Sequence, residues 1–257
     1  MPVTSHKRNG DATPVRTEIS DTKREYREND NFGSDSAFQA SIDKLIDRSK
    51  IIELEVLDPD IVKGKKAYRF AKRAFVIVSC SCALVVCAIP MAVIAVAIKR
   101  DSPGPVFYKQ ERLGLNGEPF ILVKFRSMRE DAELMGAQWA SDVDPRVTRV
   151  GAFLRRSRLD EIPQFAAVVT GKLSLIGPRP ERKVFYDEFE KYIHGFSQRM
   201  LVKPGITGLA QVNGGYDLKP EEKVIYDFDY IKNCSVALDM KIIAKTFSVL
   251  FSHKGAR

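Results

Sequence analysis

The chain has 257 residues, 44% of them hydrophobic, so it is long enough to bury one large or two small cores. Its formal charge of +8 is unevenly placed: residues 1–60 hold 9 Lys/Arg against 13 Asp/Glu, which leaves a strongly cationic body behind an acidic first quarter. Such a body suits phosphates, anionic headgroups or nucleic acid. Four cysteines without paired spacing exclude a disulfide scaffold or a zinc finger.

Met1 to about Ala40 is polar, without apolar period, and reads as disordered. No early apolar core points to a cleavable signal peptide. Ile42, Leu45, Ile46 and Ile52 recover some helical spacing, enough for a short helix or docking segment. The expected division is therefore a disordered or weakly structured extension at 1–66, a membrane segment at 67–100 and a catalytic domain at 101–257.

Phe75 to Ile98 runs without a charge, about the length of a membrane span. Pro90 breaks it into arms of about 15 and 8 residues, neither of which crosses a hydrocarbon core of roughly 30 Å. Both flanks are basic, with Lys65, Lys66, Arg69, Lys72 and Arg73 before and Lys99, Arg100 and Lys109 after. The positive-inside tendency places both on one face. A helix that bends at Pro90 and returns satisfies both constraints; a spanning or buried helix is the alternative.

Asp101-Ser-Pro-Gly-Pro105 is a turn. Val106–Tyr108 and Phe120–Phe125 have strand character around a Gly-rich link, so a small β-hairpin is expected. Ser127–Met135 and Val150–Leu154 look helical, as does Ile162–Val169, with Pro163 in its first turn. Val236–Phe251 is amphipathic, with Leu238, Ile242, Phe247 and Leu250 on one face. The fold class is α+β and mostly helical.

The richest stretch is Arg155–Arg182, where the adjacent carboxylates Asp160 and Glu161 stand among arginines. A lone acidic pair usually just complements a helix N-terminus. Beside fixed cations, one acid can attack phosphorus and the other can help hold a metal. Neighbouring positions on an α-helix point about 100° apart, so the two acids cannot share a role. Lys124 and Arg126, at the end of a strand, are the leading cations. Arg179 is aimed by Pro178 and Pro180, and its planar fork suits phosphate oxygens. Of the group Arg146, Arg149, Arg155, Arg156 and Arg158, Arg149 and Arg155 are the candidates for the site. Pro204-Gly-Ile-Thr207-Gly208 and Gln211 form a turn-rich loop whose backbone can approach a nucleotide. No nucleic-acid-binding motif accompanies the basic charge, so no nucleic-acid partner is expected.

Four motifs in order, Lys124-Phe-Arg-Ser-Met128, Leu159-Asp-Glu-Ile-Pro-Gln164, Ile176-Gly-Pro-Arg-Pro180 and Lys203-Pro-Gly-Ile-Thr-Gly-Leu-Ala-Gln211, closely resemble those of the bacterial sugar transferases. These are monotopic polyprenyl-phosphate phosphoglycosyl transferases, and the resemblance runs from about Lys72 to Arg257. It implies transfer of a hexose 1-phosphate from a UDP-sugar to undecaprenyl phosphate with release of UMP, priming an exopolysaccharide. It implies a catalytic domain on the cytoplasmic face of the bacterial inner membrane, a re-entrant helix broken at a proline, which Pro90 matches, and interfacial amphipathic helices. Asp160 aligns with the nucleophile that forms a phosphosugar-aspartate and Glu161 with its partner acid, with Mg²⁺ held at Asp160 and Glu161. Lys124, Arg126, Arg149, Arg155, Arg179, Thr207, Gln211 and Asp227 are the implied substrate-binding set; for Asp227 a helix-capping role is the alternative. Partners are the UDP-sugar, undecaprenyl phosphate and the lipid bilayer, and a homo-oligomer is compatible with this. Two departures stand out: Val76 replaces the acid of the usual Lys-Arg-x-x-Asp entry at Lys72, and no arginine follows Gly214. A non-catalytic membrane-anchored scaffold is the competing reading, against which the intact Asp160-Glu161 pair argues.

Overall fold

A computed structural model describes residues 36–47, 49–61, 64–133, 144–215 and 217–252. Nine helices and six short strands are formed by these residues, an α+β and mostly helical arrangement. In chain order they are α1 (Ser36–Asp43), β1 (Ile52–Glu53), α2 (Lys66–Val86), α3 (Ala88–Asp101), β2 (Phe107–Leu113), β3 (Pro119–Phe125), α4 (Arg149–Ser157), α5 (Phe165–Val169), β4 (Ser174–Ile176), α6 (Lys183–Phe189), β5 (Ile193–His194), β6 (Gly205–Thr207), α7 (Leu209–Val212), α8 (Pro220–Asn233) and α9 (Val236–Ser252).

α2 and α3 meet at Cys87 with a bend of 58°. No single helix among the described residues is long and apolar enough to cross a membrane, whereas this bent pair meets both requirements together. The break falls three residues before Pro90, not at it. Proline has no N–H and its ring clashes with the carbonyl four residues back, here that of Val86, so the first helix stops there. Pro90 then sits in the first turn of α3, where the missing N–H costs nothing. Val78, Val85, Val86, Ile89, Val93 and Val96 are all exposed along the pair, and only Val76, Cys80 and Ile98 are buried.

β2 and β3 form the expected hairpin, antiparallel from Phe107↔Phe125 to Leu113↔Pro119. It is longer than its apolar residues suggested, because Lys109 to Arg112 continue the ladder with polar side chains. Phe120 and Leu122 of β3 pack with Val76 and Cys80 of α2 and Val168 of α5, which fixes the hairpin against the base of the helical pair. β4 and β6 run parallel, Ser174↔Gly205 and Ile176↔Thr207. Glycine is required at this approach: a Cβ on Gly205 would stand 2.1 Å from the Gly177 nitrogen, and one on Gly177 would meet the Lys203 carbonyl at 2.4 Å. Of the helix expected over Ser127–Met135, Glu130–Glu133 forms a short 3-10 turn and the rest beyond 133 lies outside the described residues.

The first 66 residues are not all a weakly structured extension. Phe38, Ile42, Ile46 and Leu57 are buried against Phe185, Phe189, Ile193, Phe196, Val224 and Phe228. β1 pairs in parallel with β5, Ile52↔Ile193 and Glu53↔His194. The Gln198 side chain accepts from the Leu57 amide at 2.6 Å and donates to the Glu55 carbonyl at 3.1 Å. Four large apolar side chains brought out of water outweigh a polar average composition. Phe38 is 1% exposed, so Phe38→Ala should lower unfolding stability by about 3–5 kcal/mol in a denaturant titration. An unchanged midpoint would show that the segment merely lies on the surface.

Candidate active site

α4 starts at Thr148, whose hydroxyl accepts from the Gly151 amide at 3.0 Å, and ends at Arg158, held left-handed at φ 58°. That residue turns the chain into a 3-10 turn, Leu159–Gln164, which carries both acids. Three residues per turn set neighbours about 120° apart, more than the α-helical value expected from sequence. Asp160 and Glu161 consequently have different surroundings.

Glu161 faces Arg179, with oxygens 2.7 and 3.4 Å from the two guanidinium nitrogens. Burial alone would raise its pKa; Arg179 above all, with Arg158 and Lys124, brings it below the ordinary carboxylate value. Asp160 is 7% exposed and its buried Oδ1 has no hydrogen-bond partner. Burial and, next, the Glu161 charge push it up to about 6, while Lys124, Arg179 and Arg155 oppose the rise. One acid is held as an anion and the other is poised.

Both lie on the wall of a cavity of about 580 Å³. Its lining includes the cations Lys124, Arg155, Arg158, Arg179 and Arg182. It also includes the apolar side chains Ile206, Ala210, Ile243, Phe247 and Leu250 from β6, α7 and α9. The Lys124 ammonium lies 5.3 Å from the centre of the Tyr108 ring across the hairpin. Thr207 and Gln211 stand on the same wall. The Thr207 hydroxyl is 2.7 Å from that of Thr246, and both amide atoms of Gln211 are buried without a hydrogen-bond partner.

Three of the sequence candidates are placed differently. Arg126 borders the cavity but its guanidinium donates to the carbonyls of Ser102 (2.8 Å) and Pro103, tying β3 to the turn after α3. Arg149 opens α4 and does not line the cavity. Asp227 is 1% exposed and pairs with Arg199 at 2.6 Å, behind the cavity wall rather than on it. It is neither a ligand-facing acid nor a helix cap; it lies well inside α8. Arg199 itself was missed from sequence, although a buried acid at Asp227 requires a cation close by. Arg112, paired with Glu181 at 3.1 Å on the cavity wall, was missed too, because a lone strand arginine carries no signal.

The donor set suits a magnesium ion only in part. Asp160 offers an unpartnered oxygen, whereas both Glu161 oxygens are engaged by Arg179. No group of three His, Cys, Asp or Glu that could hold a metal occurs among the described residues. Mg²⁺ commonly takes one or two carboxylates and completes its shell from substrate phosphates and water, so a phosphate-borne ion fits.

The profile of the bacterial sugar transferase family matches residues 67–253. The chain belongs to that family. Its relatives include the UDP-N-acetylgalactosamine-undecaprenyl-phosphate N-acetylgalactosaminephosphotransferase of Aeromonas hydrophila, 45% identical over 193 residues, which are 74% of this chain and 46% of that protein. The UDP-glucose:undecaprenyl-phosphate glucose-1-phosphate transferase of Escherichia coli is 42% identical over 73% of this chain and 42% of its own length. A putative undecaprenyl-phosphate N-acetylgalactosaminyl 1-phosphate transferase of Bacillus subtilis is 55% identical over 44% of this chain and 64% of its own length. The chain thus spans less than half the length of the first two. The sugar transferase profile begins at residue 67 and so leaves out the docked segment 36–61.

A raised carboxyl pKa has a consequence for stability. Asp160 binds its proton more tightly in the folded chain than an ordinary aspartate does, so the folded state loses stability as pH rises from about 4 through about 6. Asp160→Asn removes that charge. In EDTA at pH 7.5 the variant should be more stable than the parent by up to about 3 kcal/mol, with the gain vanishing near pH 4. Thermal unfolding of both across this pH range checks it; an equal or lower midpoint for the variant at pH 7.5 contradicts the assignment.

Proposed function

We propose that this chain transfers a hexose 1-phosphate from a UDP-sugar to undecaprenyl phosphate and releases UMP, the priming step of an exopolysaccharide or related surface glycan. The observation that carries this is Asp160, a buried carboxylate with a partnerless oxygen in a cavity lined by both cations and apolar side chains. An anionic diphosphate suits the cations, and the prenyl chain of a lipid acceptor suits the apolar groups. The named relatives act on UDP-N-acetylgalactosamine and UDP-glucose, so family membership leaves the donor sugar open.

The chemistry is two displacements. An Asp160 oxygen attacks the β-phosphorus of the donor, the bond to the UMP oxygen breaks, and a phosphosugar-aspartate results. A phosphate oxygen of the acceptor then attacks the same phosphorus and returns Asp160 as the carboxylate. Attack needs the anion, so activity should rise with pH through about 6, the value to which burial brings this group. Arg179, already fixed on Glu161, together with Lys124 and Arg155, offsets negative charge on the transferring group. Mg²⁺ borne on the diphosphate would supply further charge neutralisation there, with the partnerless oxygen of Asp160 as the protein ligand, since Arg179 takes up both oxygens of Glu161.

The same reading makes residues 67–100 a re-entrant membrane element and 101–257 a catalytic domain on the cytoplasmic face of the inner membrane. Its support is the 58° bend, the exposed apolar residues along α2 and α3, and basic residues on both flanks. Cysteine labelling of both flanks in intact cells should find neither accessible from the periplasm; labelling of one flank alone would mean a spanning segment. Pro90→Leu should straighten the pair and push it toward spanning.

For the reaction, Asp160→Asn keeps size but not the attacking anion, and UMP release from a panel of UDP-sugars should fall by roughly 10³ or more. Incubation with radiolabelled UDP-sugar alone, then quenching, should leave a phosphosugar on Asp160. Robust turnover by the Asn variant, or a requirement for both substrates before UMP appears, would replace the covalent route by direct attack of the lipid phosphate.

A further inference from the structure

Two cations, half-buried Lys72 and buried Arg199, reach the two ends of the stretch Ile176–Arg179. Lys72, near the base of α2, donates to the Ile176 carbonyl at 2.8 Å. Its ammonium also meets Asp239 of α9 at 3.3 Å and the Tyr230 hydroxyl of α8, and its side chain is only 16% exposed. Tyr68 and Tyr230 each donate to Asp239 at 2.9 Å, completing the cluster. At the other end, Arg199 donates to the Arg179 carbonyl at 3.1 Å. Its Nε pairs with Asp227, and the guanidinium lies 4.7 Å from the Phe196 ring centre and 5.8 Å from that of Tyr186.

Folding energetics alone give no reason for either arrangement. Taking a charge out of water costs several kcal/mol, and a buried pair often does no better than apolar residues of the same size. A lysine beside an apolar helix ordinarily stretches toward water or headgroups, yet Lys72 turns inward. What the two cations share is their target. Pro178 and Pro180 flank Arg179 and have no N–H, so carbonyls are the main handles by which this stretch can be held. The Pro178 carbonyl is taken by the Gly205 amide at 2.9 Å, that of Ile176 by Lys72 and that of Arg179 by Arg199. The segment 36–61 lies behind this brace, since Phe196 and Tyr186 belong to the same core as Phe38 and Ile42.

We propose that Lys72 and Arg199 are positioning residues that fix the backbone of Ile176–Arg179, so that Arg179 is presented to Glu161 and to the transferring phosphate. Because Lys72 belongs to α2, the seating of the membrane-facing helices and the aim of Arg179 are mechanically linked. This rests on the transferase reading for the role of Arg179, but not for the backbone restraint itself.

Two measurements on the full chain in detergent separate those parts. In hydrogen–deuterium exchange, Lys72→Met and Arg199→Met should each speed exchange of the amides of Gly177, Arg179 and Glu181 by about 10-fold or more, with the β2–β3 hairpin unchanged. In UMP release, each should lower kcat by about 10-fold or more with KM for the UDP-sugar within about 3-fold, and should cost nothing further in an Arg179→Met background. Where Arg199→Met fails to fold for want of a partner to Asp227, the pair Arg199→Met/Asp227→Leu removes both charges; Lys72→Met/Asp239→Asn does the same for Lys72. Unchanged exchange at 177–181, or the same fold-loss of kcat with and without Arg179, would overturn the proposal. If the unaltered chain releases no UMP from any UDP-sugar, the transferase reading falls, and exchange still decides the restraint.

Discussion

The pairing of Arg179 with Glu161 is the interaction on which the rest of the site depends. It holds one of two adjacent carboxylates as an anion and leaves the other without a hydrogen-bonded partner on one oxygen. Two like charges side by side in a buried wall would drive one of them to take a proton. Here the cation is given to one member, so the protonation burden falls on Asp160. Were Arg179 shared evenly, neither acid would be distinguished, and a nucleophile could not be told from a metal ligand or an anchor. The asymmetry begins in the backbone: left-handed Arg158 ends one helix and opens a tighter one, and the tighter turn rotates the two side chains apart.

The fold around this pair is a set of devices for bringing distant backbone together. Gly177 and Gly205 let the Ile176–Arg179 stretch and the loop before β6 touch backbone to backbone, closer than any side chain would permit. Arg73 donates to the carbonyls of Val168 and Val169, at 2.6 and 2.8 Å, which caps α5 directly after the turn bearing the dyad. Arg126 does the same for the turn after α3. Several arginines that charge counting would assign to phosphates are therefore scaffolding, and the cationic mouth is narrower than the composition suggests.

What could be read from sequence follows from which signals are local. The hairpin and α9 were legible, and the acidic pair could be singled out, because an apolar period or a dense motif lies within one short window. The break between α2 and α3 was legible in cause but displaced in place, since proline acts on the residue four positions before it. The docking of 36–61 was only hinted at. Ile42 and Ile46 show a helical period, but their partners Phe185, Phe189 and Ile193 lie some 140 residues on, and composition averaged over a polar stretch hides four anchors. Asp227 was found by motif and its role was not, because a buried acid and a ligand-facing acid look alike until the cation beside it is seen.

On the proposed reaction, a water-soluble donor and a lipid acceptor, substrates of opposite solubility, must be held at one phosphorus. The cavity lining carries both kinds of group: cations from β3, α4 and the turn around Arg179, and apolar side chains from β6, α7 and α9. Thr207, in the parallel pairing of β4 with β6, lines it too, as does Gln211. That pairing is also where Lys72 of α2 contacts the domain, through the Ile176 carbonyl. The helix that would seat the protein in a lipid layer is thus bonded to the strand that runs on into Gly177–Arg179. On the proposed reading, the seating of α2 and the aim of Arg179 are coupled through one side chain, so a change at either end of that bond is felt at the other.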